Sequence, residues 1–423
     1  MIKYKVSEKP VVYLGGRKPE LTTEVFILRC SSENNKTWVP SPLTYFLYHK
    51  YTANSCSNNT KMPSALTICN FLNYLNEQTR LDEDPCFRNL KDEGLYSIEF
   101  LHLAKFLNYI SQKSEIKNSY KTVKKKEYYL LSFYKYLHDN GITGSNTKVI
   151  TRTDKYGNEI IISPFDEDDT ITIHYPSKNN KSSRVLKDME TDVWNRFLDY
   201  AEEHYPNIAL GVAFQFMGGL RRGEVVNLII NAIEPHKDKQ HIRLHVADRQ
   251  KELFLDRKVD LRKCQVKQER INQPVFNFNG ELFKLLDKHL KNLANNTKVK
   301  NKQALFVDSQ GHPMSGDSYN YYFTNLKADF IDFLDNKGYQ KVVNTLNNSE
   351  WASHIGRHVF TNYLIKIGAV SDANGDPVSK YLMSLRGDKS EKSSAEYIDT
   401  KTVIDVVVDK IDLISQVANK ISV

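Results

Sequence analysis

The spacing of apolar side chains divides the 423-residue chain into stretches of different period. Between residues 41 and 142 they recur every three or four positions, which predicts helices over 43–51, 65–78, 97–112 and 120–139. The last carries Leu130, Leu131, Phe133, Tyr134 and Leu137 and runs into Asn140-Gly141, a helix-stop signal. Ahead of it, residues 1–40 hold short β-like runs at 11–14 and 25–28 around the turn Gly15-Gly16-Arg17-Lys18-Pro19. They read as a small N-terminal extension packed on the helical stretch. Residues 143–185 are polar and irregular, with the acidic patch Asp166-Glu167-Asp168-Asp169, and read as an interdomain linker with short strands near Val149 and Ile171.

A second helical regime opens at residue 186, with Trp194, Phe197, Leu198 and Ala201 on one face. Residues 208–217 are apolar nearly all round, the mark of a buried helix, and Gly218-Gly219 breaks it. Across 241–279 the period shortens toward two, at 242–246, 259–261 and 271–278, which predicts a small antiparallel sheet. Helices follow over 281–293 and 319–336. Another, carrying Phe360, Tyr363, Leu364 and Ile367, has Ser353 as its expected N-cap, and a terminal one spans 403–421. The fold class is mainly α with a small antiparallel sheet: a helical domain over 41–142, then a mixed α/β domain over 186–423.

Composition adds bounds. Apolar residues make up 40% and charged ones 26%, as in a water-soluble globular protein, and 59 basic against 51 acidic residues leave a formal charge of +8. That excess permits a nucleic-acid partner, and the densest basic run, Lys121, Lys124, Lys125 and Lys126, opens the 120–139 helix. The scattered cysteines (Cys30, Cys56, Cys69, Cys86, Cys264) form no Cys-x-x-Cys pair, which argues against a disulfide framework and a zinc site. The first residues do not read as a signal peptide and no apolar run reaches membrane-spanning length, so a cytoplasmic, nucleoid-associated protein is expected.

Three stretches carry chemistry. In Trp351-Ala-Ser-His354-Ile-Gly-Arg357-His358, a cap at Ser353 puts His354 and Arg357 one turn apart near a helix start, a site suited to phosphate. The others are Gly218-Gly219-Leu220-Arg221-Arg222-Gly223-Glu224, and Leu385-Arg386-Gly387-Asp388 with Tyr397 beyond it. In this order and at these separations they resemble the tyrosine recombinase (phage integrase) family. That family carries a Gly-Leu-Arg-x-x-Glu box, a His-x-x-Arg box and a downstream tyrosine nucleophile. The match is at motif level in the C-terminal half and in outline only in the N-terminal half.

The resemblance implies a core-binding domain over 41–142 that closes on double-stranded DNA through the lysine run, and a catalytic domain over 186–423 in which Arg222 contacts DNA or a carboxylate. It implies Tyr397 as nucleophile, with Arg221 and Arg357 on the non-bridging oxygens of the scissile phosphate. His354 would donate to that phosphate or exchange the tyrosine proton, and Glu224 would hold the arginine or the helix junction. The family's hairpin lysine matches Lys267, with Lys263 as the alternative. Where the family usually has histidine, nine residues before the tyrosine, this chain has Asp388, which puts the third phosphate donor in doubt. Tyr363 and Tyr381 compete less well as nucleophile. No cofactor or metal is required, since His358 near His354 lacks a third ligand. The family works as a tetramer on paired sites, so the terminal helix is expected to exchange between subunits, with an accessory directionality factor as an optional partner. Rival readings are a type IB topoisomerase and a catalytically inactive DNA-binding regulator.

Overall fold

A computed structural model of the chain describes residues 2–13, 20–31, 37–51, 58–112, 118–144, 148–154, 157, 159–166, 171–177, 184–237, 239–255, 257–370 and 378–387. Helices dominate and the sheets are small. The chain divides into two compact units, Met1–Asn180 and Lys181–Val423. Among the described residues no helix is long and apolar enough to cross a membrane.

The first unit opens with strands β1 (Ile2–Tyr13), β2 (Glu20–Ser31) and β3 (Val39–Pro40), an antiparallel sheet in that order. Helices α1 (Thr44–Tyr51), α2 (Asn58–Leu81), α3 (Asn89–Glu93), α4 (Phe100–Gln112) and α5 (Tyr120–Asp139) follow, then the antiparallel pair β4 (Thr151–Thr153) and β5 (Glu159–Ile161). The β1–β2 hairpin pairs from Ile2↔Ser31 to Tyr13↔Glu20, far longer than the short runs the sequence predicts. Tertiary contact extends it: Asn73 on α2 accepts from the Tyr4 N–H and donates to its C=O, both at 2.8 Å, pairing backbone groups on the sheet's outer strand. α2 also starts ahead of its predicted residue 65. Its polar first turns are tied to β2, Lys61 to Glu24 at 2.6 Å and Asn58 to the Thr23 carbonyl at 2.7 Å.

Helix α5 has its expected bounds because its signals are local. The Ser119 hydroxyl accepts from the Thr122 N–H at 3.2 Å, and Gly141 beyond the end takes φ +64°. The core between α1, α2, α4 and α5 is aromatic, with Phe46 edge-on to Phe133 and Phe71 edge-on to Phe106. The expected linker is corrected here. Phe165 and Ile173 are buried in this core, and Asn108 on α4 bonds the backbone of Thr172 and His174. The described part of 143–177 belongs to the first unit.

The second unit runs β6 (Arg184–Val185), α6 (Thr191–His204), α7 (Ala209–Gly218), α8 (Arg222–Val226), β7 (Ile233–Pro235), β8 (His241–Val246), α9 (Gln250–Leu253), β9 (Arg270–Phe276), α10 (Leu282–Asn295), α11 (Gly316–Asn336), α12 (Gln340–Asn347), β10 (Ser349–Glu350), α13 (Ile355–Lys366) and α14 (Ser379–Arg386). Strands β7, β8 and β9 form an antiparallel sheet in that order, and β6 pairs with β10 in parallel. The expected strand at 259–261 is absent. Leu261–Cys264 is a turn of 3-10 helix instead, capped by the Asp260 side chain on the Arg262 N–H at 3.2 Å. α7 is buried along its whole length and lies at the centre, touching α6, α10, α13 and β9.

Candidate active site

The end of α7 sets the site. Gly219 caps it at φ +65°, a left-handed conformation that glycine adopts without cost, and a Cβ there would stand 2.6 Å from the Phe360 ring. The turn buries Leu220 and makes Arg221 the N-cap of α8. Fully buried Glu224 accepts from the Arg221 N–H at 2.8 Å and from its Nη1 at 3.0 Å. Burial pushes the Glu224 carboxyl up, but bonds and charge from Arg270, then those from Arg221, outweigh it and hold it below its ordinary value.

α13 approaches α7 closely because its second residue is Gly356, where a Cβ would lie 2.7 Å from the Phe216 ring and 2.9 Å from the Gln215 backbone. Arg357 is thereby buried, and its Nη1 donates to the Gly219 carbonyl at 2.6 Å and the Arg386 carbonyl at 2.8 Å. One guanidinium joins the ends of α7 and α14. The Arg221 Nη1 also reaches the Gly387 carbonyl, at 3.4 Å. Arg221 and Arg357 therefore flank the C-terminal end of α14, whose last carbonyls carry the negative end of the helix dipole.

Ser353 is not the N-cap of α13. It lies one residue early, inside a turn closed by the Ile355 N–H on the Ala352 carbonyl, and His354 takes the cap position without a side-chain bond. His354 reaches solvent, but partial burial and then the charges of His358, Arg357, Arg221 and Arg386 push its pKa down to about 4. Its imidazole is neutral at physiological pH, able to donate from one ring nitrogen and accept at the other. The His358 ring stands edge-on to it at 5.1 Å.

The hairpin expected around the lysine differs in the structure. β8 and β9 are joined not by a tight hairpin but by residues 247–269, and Lys267 sits exposed at the far end of that connection. Pro274 lies inside β9, paired with Arg243, so no turn separates Lys267 from a proline-ended strand. Lys263 pairs with Asp317 at 2.6 Å. Arg222 is half-buried. Its Nη1 donates to Asn320 at 3.2 Å and ties α8 to α11. The lysine run is also split: Lys124 pairs with buried Glu127 at 3.2 Å and Lys126 bonds Asn118 at 3.2 Å, leaving Lys121 and Lys125 exposed one turn apart. Half-buried Tyr363 packs edge-on against Trp194, and burial raises its pKa. Tyr397, Asp388 and the expected 403–421 helix lie outside the described residues.

Two residues of the site carry no role in the sequence pattern, Arg270 and Gln273. Arg270 grips Glu224 with both terminal nitrogens, at 3.0 and 2.9 Å, and buried Gln273 donates to the Gly218 and Leu385 carbonyls at 2.9 and 2.8 Å. A charged residue and an amide at alternate-face positions of a strand are the only sequence signal for either.

No family model and no curated protein matches the chain. Its structural neighbours are tyrosine recombinases. They include the XerH site-specific recombinase bound to difH substrate in a pre-cleavage complex (TM-score 0.48, 15% identity, over 78% of this chain and 74% of that one). The Tn1549 transposon integrase (aa 82–397) in complex with circular intermediate DNA gives TM-score 0.46 and 16% identity, over 84% and 94%. The Lambda integrase (residues 75–356) bound to DNA gives 0.41 and 12%, over 84% and 99%. At such scores the likeness stands beside the residue-level reading without adding weight to it.

Proposed function

We propose that this chain is a tyrosine site-specific recombinase that cleaves and rejoins double-stranded DNA, serving integration or excision of a mobile element. One observation carries the reading: Arg221, from one part of the chain, meets Arg357 and His354, from another more than a hundred residues on, at the C-terminal end of α14. Two always-charged guanidiniums and a neutral imidazole suit phosphoryl transfer without a metal.

In the proposed reaction the Tyr397 oxygen attacks the scissile phosphorus, forming a 3′-phosphotyrosyl bond as the bond to the 5′-oxygen breaks. Neutral His354 accepts the phenolic proton, and the 5′-oxygen takes a proton from water as its bond to phosphorus breaks, leaving as a hydroxyl. Arg221 and Arg357 hold the non-bridging oxygens, each such donor supplying about 3 kcal/mol of transition-state stabilisation. A 5′-hydroxyl from a partner duplex then attacks the phosphotyrosine and restores Tyr397, so bond energy is conserved. Asp388 cannot act as a cationic donor when ionised, and its role is to orient Arg357 or His354. The first unit supplies the clamp on the DNA backbone through Lys121 and Lys125, and four copies act on paired sites, exchanging their C-terminal segments.

The test finds the DNA site and the nucleophile together. Wild type and Tyr397→Phe are expressed in cells, denatured in SDS, and the DNA that stays covalently attached is sequenced. Adducts clustered at one short inverted repeat and lost in the variant are expected. Equal adducts in both move the nucleophile elsewhere, and a bound site with no adduct in either makes the chain a DNA-binding regulator. Plasmid relaxation without paired sites makes it a topoisomerase.

A further inference from the structure

Arg270 and Gln273 lie on β9, and their contacts reach the site from two sides. The Arg270 fork closes on Glu224, whose other bonds go to the backbone and guanidinium of Arg221. The Arg270 Nε donates to the Gln273 side-chain oxygen, which fixes that amide's orientation. The Gln273 amide nitrogen then donates to Gly218 at the end of α7 and to Leu385 near the end of α14. The consecutive carbonyls of Leu385, Arg386 and Gly387 thus accept from Gln273, Arg357 and Arg221 in turn. Gly387 also lies against the Arg270 guanidinium, where a Cβ would stand 2.7 Å away.

We propose that Arg270 and Gln273 are positioning residues: from one strand they aim Arg221 and fix the point from which the Tyr397 segment leaves α14. This rests on the recombinase reading. Arg270 is not itself a phosphate ligand, because its side chain is 13% exposed and both its terminal nitrogens are engaged by Glu224. Its effect runs through the carboxylate. With Arg270 present, Glu224 has two cationic partners and leaves Arg221 donor capacity for a substrate oxygen. Without it, a buried carboxylate has Arg221 as its remaining cationic partner and draws that guanidinium in. A lysine at 270 keeps the charge but cannot form the two-pronged contact.

The test is single-turnover cleavage of the duplex recovered from the covalent adducts, with Arg270→Gln, Arg270→Lys, Arg221→Lys and the double variants. We expect Arg270→Gln to slow cleavage about 10²-fold, the scale of a misplaced catalytic group, while DNA affinity stays within a few-fold. Arg270→Lys falls between the two. The decisive arm is the cycle: with Arg221→Lys already present, Arg270→Gln slows cleavage no further, because its effect passes through Arg221. A purely structural role gives multiplying losses instead, and that result overturns the assignment, as does wild-type cleavage by Arg270→Gln. If Arg270→Gln fails to fold, Arg270→Lys carries the same cycle. Wild type without any adduct removes the recombinase reading and this assignment together, whereas an active wild type with an unaffected Arg270→Gln removes only the assignment.

Discussion

At the scale of single residues, charge and burial set protonation before any substrate arrives. His354 is held down near 4, and His358 is also lowered, by burial first and then by Arg386, Lys187 and Arg357. The unfolded chain's histidines titrate at about 6.5. Between about 6.5 and 4 the unfolded state therefore binds more protons than the folded state, so stability declines as pH falls through that window. His354→Gln removes one such group, and its unfolding free energy, followed by urea titration at about pH 7 and pH 5, should decline less than that of wild type. A bound phosphate reverses the electrostatics by bringing negative charge to a cluster of cations. NMR titration of the His354 ring should place its pKa near 4 in the free protein and higher when DNA is bound. A pKa that stays near 4 in the complex would remove the phosphate from His354's neighbourhood.

At the scale of elements, the site depends on how closely α13 lies on α7. Gly356→Ala inserts a methyl group into the Phe216 ring and the Gln215 backbone. Overpacking of that kind costs roughly 1–3 kcal/mol. Because Arg357 is the next residue, a shift of α13 also moves the guanidinium off the Gly219 and Arg386 carbonyls. Adduct formation should fall well beyond what the stability loss explains, and adducts at wild-type level would show that the approach does not set the site. The residue pattern made α13 legible through Phe360 and Leu364, and α5 legible to its ends, since Ser119, Asn140 and Gly141 act on their own neighbours. The boxes around Arg221 and His354 were legible for the same reason. The length of the β1–β2 hairpin was not, because Asn73 lies 69 residues from Tyr4. Nor were the contacts of Arg270 and Gln273, whose partners lie 46 and 112 residues away. The connection before β9 was not legible either: the spacing around Lys267 suggests a short turn, whereas the chain joins β8 to β9 over residues 247–269.

At the scale of the whole molecule, a formal charge of +8 says less than where the cations lie. Arg221 and Arg357 are engaged with Glu224 and with backbone carbonyls at one point, while Lys121 and Lys125 stand exposed on α5 of the other unit. If the two sets have different roles, binding and cleavage separate by unit. Each surface lysine that neutralises a phosphate contributes roughly 0.9 to the slope of log affinity against log salt. Lys121→Ala with Lys125→Ala should therefore weaken DNA binding and flatten that slope by about 2. Lys124→Ala with Lys126→Ala should flatten it much less, since those side chains already serve Glu127 and Asn118. Arg357→Lys should show the opposite profile, with affinity within a few-fold of wild type and single-turnover cleavage at saturating DNA lower by roughly 10²–10³. An equal loss of affinity in all three variants would mean that binding energy is not partitioned between the units, and the first unit would lose its place as the clamp.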